Sequence, residues 1–416
     1  MMKIGICGVG SFSEAFIPLF KAHPLVSEVV LADLLPDRLE QVAAKYGIRR
    51  TAASHDELCA SDVDAIAIFA QRHLHGPLTI QALKAGKHVY CAVPIASTLE
   101  EIAEVVKVVE ETRLVYMNGE TCYYYPHTIY CRDRYKKGDF GHFVYGEAAY
   151  LHDMSHGFYQ AFQHSGGADW KKVAGFPPMF YPTHSTSMIV SVTGARLTQV
   201  SCLGYRDRHE DGIFTEEGNL WGNPYSNQTA LLRSSDGGMV RINEFRRVGW
   251  WGKSSSNPVS IFGTKGSFEE SSGGQYWTEL AHNKIVDLSE LLHCARNHIP
   301  KEDEHLHEVL QKDFNSLFSP IHPVHRLPAS FKGLRNGHLG SHQFLVDDFV
   351  KAAFTGKLPP VNVWEAAKYC APGLVAHESA LRDGVSMDIP DFGEPPEGWE
   401  LLDPDQPVQE SLGKHN

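Results

Sequence analysis

No stretch of this chain of 416 residues approaches the ~18 uninterrupted apolar residues that a membrane span requires. Positive charge is scarce as well. Lys and Arg number 38 against 50 Asp and Glu, the formal net charge is -12, and no basic cluster could neutralise a row of phosphates. Neither a membrane nor a nucleic acid is an expected partner. The 8 cysteines (Cys7, Cys59, Cys91, Cys122, Cys131, Cys202, Cys294 and Cys370) include no CxxC pair. Several fall in apolar strand patterns, which reads as reduced core thiols and excludes a disulfide frame or a zinc finger. Among 23 histidines, His152 with Asp153 and His156, or His73 with His75, invite a metal. None has the spacing of a known metal signature, so no metal is expected. There is no internal repeat and no low-complexity tract. The first strand begins at once, leaving no room for a signal peptide, so a cytoplasmic protein is expected.

What is present is ordinary globular composition, 43% apolar and 21% charged, long enough for two or three domains. The chain is organised around residues 3–20. Lys3 to Cys7 reads as a buried strand, Gly8-Val9-Gly10 as a sharp turn, and Ser11 to Phe20 as a helix. Glycines at such a turn let a pyrophosphate approach the backbone, and the following helix start offers N–H groups to the anion. The third glycine of GxGxxG is replaced by Ser13. Val29 to Asp33 is a second buried strand ending in an acid, at about the ~20-residue offset of a ribose-binding carboxylate. A plain βα turn without a ligand would not need that acid in register.

Strand and helix patterns alternate to about residue 120, which predicts a parallel sheet wrapped by helices. Pro36 to Tyr46 is helical; Val63 to Phe69 is a strand delivering Ala70 to His75 at its C-terminal end, where ligands of open α/β sheets gather. Pro77 to Ala85 is a helix, His88 to Cys91 a strand, and Ala92-Val93-Pro94 follows it. Thr98 with Glu101 forms a capping box, and Leu114 to Asn118 is the last strand before Gly119-Glu120.

Gly8-Val9-Gly10, His75, Gly86-Lys87-His88-Val89 and Pro94 together resemble the glucose-fructose oxidoreductase, inositol dehydrogenase and MocA (Gfo/Idh/MocA) family. The resemblance covers essentially the whole chain. It implies an α/β protein: an N-terminal Rossmann dinucleotide-binding domain, then a C-terminal α/β domain on a large, mostly antiparallel open sheet. The implied boundaries are 1–121 for the NAD-binding domain and 122–395 for the substrate-binding and oligomerisation domain. Helix 342–353 would pack back on the first domain, and 396–416 would be an acidic tail. The resemblance implies cofactor contacts at Gly8, Gly10, Ser11, Phe12, Asp33, Ala70, His75, Ala92, Val93 and Glu120. An acid at Asp33 followed by Leu34 favours NAD over NADP, because a 2′-phosphate would meet like charge.

The second domain begins with a Tyr-rich run and a helix closed by Gly138. Phe143 to Tyr150 reads as a strand, and residues 152–170 as a long aromatic and polar loop forming a binding lip. Ser185 to Val192 reads as a helix. Residues 197–202, 227–233 and 238–245 read as strands, with a turn at Asp236-Gly237, and 260–268 reads as another hairpin. Residues 285–335 read as an irregular surface excursion, 342–353 as an amphipathic helix, and the segment after Pro395 as a loose tail.

Two departures from the family pattern redirect the reading. Its Glu-Lys-Pro is Ala92-Val93-Pro94 here, and its aspartate four residues before a histidine is Phe180, with His184 kept. Glu120, Tyr150-Leu-His-Asp and Tyr181-Pro-Thr-His184 are similar to the NAD-dependent glycoside hydrolases of the α-N-acetylgalactosaminidase type. Gly340-Ser341-His342, the 375–381 segment and Ile389-Pro390 are similar to that branch too. The resemblance implies active-site positions at Glu120, Tyr150, Tyr181 and His184. His184 is the natural base near neutral pH. A tyrosine base needs its usual pKa of ~10 lowered by nearby positive charge. The bland alternatives are core tyrosines, a capping acid at Glu120 and a structural His184. His152 and Asp153 read as structural.

The expected function is a redox-neutral, NAD-dependent glycoside hydrolase acting by transient oxidation at sugar C3, elimination and water addition. An ordinary NAD-dependent sugar or polyol dehydrogenase is the alternative, and a non-catalytic NAD or sugar sensor the second. A small carbohydrate or glycoside is the expected substrate. A homodimer or homotetramer is expected, because a large open sheet needs covering.

Overall fold

A computed structural model describes residues 1–249, 256–271 and 273–406. The chain forms two compact units. The first comprises Met1–Thr121, Pro323–Ala367 and the chain from Phe392 onward; the second comprises Cys122–His322 and Lys368–Asp391. The stretch 122–395 is therefore divided, with 323–367 grouped with the N-terminal residues.

The first unit holds six parallel strands, β1 (Met2–Cys7), β2 (Val26–Ala32), β3 (Arg50–Ala52), β4 (Ala65–Ile68), β5 (His88–Cys91) and β6 (Tyr116–Asn118). Their order is β3-β2-β1-β4-β5-β6, and every pairing is parallel. This order reverses direction beside β1, which places the crevice of a doubly wound sheet at the ends of β1 and β4. Ile4, Ile6, Leu31, Ala65–Ile68 and Val89–Cys91 are buried, as strands covered on both faces must be. The 3–20 segment differs from expectation. Its helix is split into Ser11–Glu14 and Ile17–Ala22, because Pro18 has no N–H to continue the first turn. Thr98 caps its helix as predicted, accepting from Glu101 N–H at 3.1 Å.

Helix His342–Thr355 is not amphipathic: every residue from His342 to Ala353 is buried. Its charges are paired inside the unit. Lys351 meets Asp347 at 2.8 Å, Arg326 meets Asp348, and His23 lies 3.3 Å from Asp347. The described part of the C-terminal segment, to residue 406, is pinned and not loose. Leu358 N–H donates to Glu400 O and Leu402 N–H donates to Leu358 O, both at 2.8 Å. Residues 407–416 of the expected tail lie outside the described residues.

The second unit carries β7 (Phe143–Leu151), β8 (Leu197–Arg206), β9 (Tyr225–Ser234), β10 (Met239–Phe245), β11 (Val259–Gly263), β12 (Gly266–Ser271), β13 (Gly274–Glu279), β14 (Lys284–Asp287) and β15 (Met387–Asp388). They form one sheet, β14-β13-β12-β11-β7-β10-β9-β8-β15. β7 and β10 run parallel and the other neighbours are antiparallel. Gly146 lets helix Thr183–Thr193 lie close to β7: a Cβ there would stand 3.0 Å from Ile189 Cδ1. The expected lip at 152–170 is largely helical, with turns at Met154–Phe158, Tyr159–Gly166 and Trp170–Ala174. Phe158 and Phe162, one helical turn apart, bury against Tyr150, Met154, Ile213 and Phe214. The 285–335 stretch likewise contains most of β14 and a helix, Glu308–Phe314. None of the eight cysteines is in a disulfide, and all but Cys59 are buried. Among the described residues, no helix is long and apolar enough to cross a membrane.

Candidate active site

In the first unit the turn after β1 is set by Gly8, whose φ of +89° places a would-be Cβ 2.9 Å from Phe69 O. Only glycine fits there. At Gly10 a Cβ would have no neighbour within 4 Å, so that glycine leaves open space over the turn. Ser11 is exposed and Phe12 half-buried, its ring 5.1 Å from Phe16 and 5.5 Å from His338. Asp33, just past β2, is fixed at both oxygens. Oδ2 accepts from Val9 N–H and Oδ1 from Leu35 N–H, each at 2.9 Å. Each oxygen keeps a lone pair for a further donor.

His75 lies between the loops that end β4 and β5, with Nδ1 2.8 Å from Pro94 O and Nε2 3.1 Å from Ala70 O. Burial pushes its pKa down to about 4, so the neutral ring carries one N–H and donates to one of the two carbonyls. Ala70 is half-buried; Ala92 and Val93 are buried. Glu120 is also buried in this unit, and its N–H donates to Asn118 O at 2.9 Å. The open turn at Gly10 and a fixed acid at the end of β2 are what a dinucleotide's pyrophosphate and ribose diol require. The residues present therefore fit NAD.

In the second unit the sequence-chosen aromatics converge. Tyr150 is the penultimate residue of β7, Tyr181 precedes helix Thr183–Thr193, and His184 sits in its first turn. The His184 ring is 5.1 Å from each of the Tyr150 and Tyr181 rings, which are 5.8 Å apart. His184 and Tyr150 are buried, and Tyr181 is half-buried. His152 stacks on Phe158 at 3.9 Å, and Asp153 caps the next turn by accepting from Ser155 N–H at 2.9 Å. Burial alone would push the Asp153 carboxyl up; the bonds from Ser155 and Val248 hold it below its ordinary value.

Charged neighbours missed from sequence complete the cluster. Glu244 on β10 accepts from the Ser185 hydroxyl and pairs with Arg246 at 3.1 Å. Burial drives its carboxyl up to about 7, against the pull of Arg246, the Ser185 bond and His184. Asp313, half-buried on helix Glu308–Phe314, is also pushed up to about 7 by desolvation, against Lys312 and His184. The signal for Glu244 was legible in principle. In the alternation of β10, Val240, Ile242 and Glu244 share the buried face, and an acid at an inward position is an exception to the pattern. Asp313 carried no such signal, because its helix sits in a polar, His-rich stretch.

Residues 2–120 match the Gfo/Idh/MocA model, described as an oxidoreductase family with an NAD-binding Rossmann fold. The N-terminal segment is a Gfo/Idh/MocA oxidoreductase domain. Over nearly its whole length the chain is similar to proteins named glycosyl hydrolase family 109 protein. That of Streptomyces filamentosus is 25% identical over 94% of this chain and 77% of its own; that of Saccharopolyspora erythraea is 24% identical over 94% and 83%. Among solved structures, levoglucosan dehydrogenase in complex with NADH superposes with a TM-score of 0.69 at 18% identity, covering 94% of this chain and 99% of that one. Myo-inositol 2-dehydrogenase from Lactobacillus plantarum gives 0.64 at 19%, covering 94% and 99%. At those identities the two structures establish a shared fold. This chain is an enzyme whose N-terminal domain is of the NAD-binding Gfo/Idh/MocA type.

Proposed function

We propose that this Gfo/Idh/MocA enzyme is a redox-neutral glycoside hydrolase. The observation that carries the reading is the trio of His184 with Tyr150 and Tyr181, each ring 5.1 Å from the imidazole, in a chain similar over 94% of its length to a protein named glycosyl hydrolase family 109 protein. Gly8, Gly10 and Asp33 would hold NAD, with Ser11, Phe12, Ala70, Ala92, Val93 and Glu120 lining it and His75 fixing the loops. The bound nicotinamide supplies a reversible hydride acceptor for sugar C3. His184 takes the C3 hydroxyl proton. A ketone at C3 acidifies the C2 proton, which Tyr150 or Tyr181 removes as the C1 substituent leaves. Glu120 orients the sugar. Water adds at C1 with its proton passing to the departing group, C2 and the C3 oxygen regain their protons through the same side chains, and C3 regains its hydride, so no net redox change remains.

Val93 supports this reading over a net dehydrogenase: it is apolar and buried, and cannot move a proton. Leu203, Leu231 and Met239 are exposed on one face of the β8-β9-β10 sheet, which supports a homodimer or homotetramer covering that face. Nitrophenyl glycosides test the function. Phenol release without accumulation of reduced nicotinamide is expected. Stoichiometric NADH from free sugars, with no phenol released, would overturn the hydrolase in favour of the dehydrogenase.

A further inference from the structure

A guanidinium lies against the ring of Tyr150. Arg246 Cζ is 4.7 Å from the ring centroid, and only 7% of the Arg246 side chain is exposed. Its Nη1 donates to Tyr150 O at 3.3 Å and to Phe245 O at 3.1 Å, which fixes it to β7 and β10. Its Nη2 meets Glu244, whose side chain is fully enclosed, at 3.1 Å. Tying two strands together needs only the bonds to the carbonyls. It does not need the cation at the aromatic ring, nor a buried acid behind it. A phenol that loses its proton spreads negative charge from its oxygen into the ring. A fixed opposite charge at ~4–6 Å favours that form by about one to three pH units.

We propose that Arg246 stabilises the phenolate of Tyr150, and that Glu244 sets how much of the guanidinium charge the ring feels. The inference rests on Tyr150 as a proton-handling group. The polar groups facing Tyr150 are His152 from the end of β7, His184 from helix Thr183–Thr193, Tyr181 ahead of that helix, and Arg246 with Glu244 from β10. Asp313 feels the charge of both His184 and Lys312. Glu244 ionises near neutral pH because it is buried. Below that point Arg246 acts alone; above it the carboxylate offsets part of its charge.

The full-length protein labelled with ζ-13C-tyrosine tests this, with Tyr150→Phe assigning the signal. Burial raises the Tyr150 midpoint and the neighbouring guanidinium lowers it. Arg246→Met should raise its midpoint by about one to three pH units, Arg246→Lys should restore part of the shift, and Glu244→Gln should lower the midpoint. A midpoint unmoved in Arg246→Met, with the other tyrosine signals at their native positions, overturns the proposal. Should Arg246→Met not fold, an unmoved midpoint in Glu244→Gln overturns it equally. Turnover separates this from the parent reading. Full glycoside turnover by Tyr150→Phe, with a midpoint still governed by Arg246, removes the tyrosine's catalytic role and leaves the charge coupling. Lost turnover with a midpoint indifferent to both charges does the reverse.

Discussion

His184 is the residue on which the chemistry turns. Its ring is packed edge-on by two tyrosines and backed by acids that ionise near neutrality. Replacing it by Ala should lower glycoside turnover by about 10²–10⁴-fold, the usual contribution of a positioned acid–base group. NAD affinity, measured by calorimetry, should be unchanged, because the residues that fit the nucleotide belong to the first unit. Undiminished turnover in His184→Ala would remove the imidazole from the mechanism. Tyr150→Phe and Tyr181→Phe divide the remaining work. The variant that loses exchange of the sugar C2 proton with deuterated solvent identifies the tyrosine that removes it.

At the scale of elements, the glycine turn after β1 separates two requirements. Gly8→Ala forces a Cβ to 2.9 Å from Phe69 O at a positive φ, so it should cost ~1–3 kcal/mol of stability and weaken NAD binding. Gly10→Ala meets nothing within 4 Å. It should leave the melting temperature nearly unchanged while still weakening NAD, since the methyl occupies the space left for the pyrophosphate. Equal loss of stability in both variants would refute this division. The strands around that turn were legible because buried parallel strands read as continuous apolar runs. β3 was not, since Arg50-Thr51-Ala52 is short, polar and at the sheet edge. The helices at 154–174 were hidden by Gly, His and Ser, although Phe158 and Phe162 stood at helical spacing. The convergence of Tyr150, Tyr181 and His184 was legible through resemblance. Arg246 and Glu244 were legible only as charges in an alternating strand, and Asp313 depends on a long-range chain path that no local pattern encodes.

At the scale of the whole molecule, buried titrating groups decide how stability follows pH. Burial holds His75, His322 and His377 down to about 4. Between their unfolded value of ~6.5 and that value, the unfolded chain binds more protons than the folded one, so stability falls as pH falls. A shift of that size corresponds to ~3 kcal/mol per site. Glu244 and Asp313 act in the opposite sense. Raised to about 7, they stay protonated in the fold where the unfolded chain has released its protons, so their contribution is lost as pH rises. His23, His127 and His342 are also lowered by burial, so the histidines outweigh the two acids. The melting temperature should therefore drop on acidification from about pH 6.5 to 4.5. Glu244→Gln removes an opposing contribution and should steepen that drop. His377→Asn removes a contributing one and should make it shallower. A melting temperature that rises on acidification would reverse the balance and assign control of stability to the acids beneath the candidate active site.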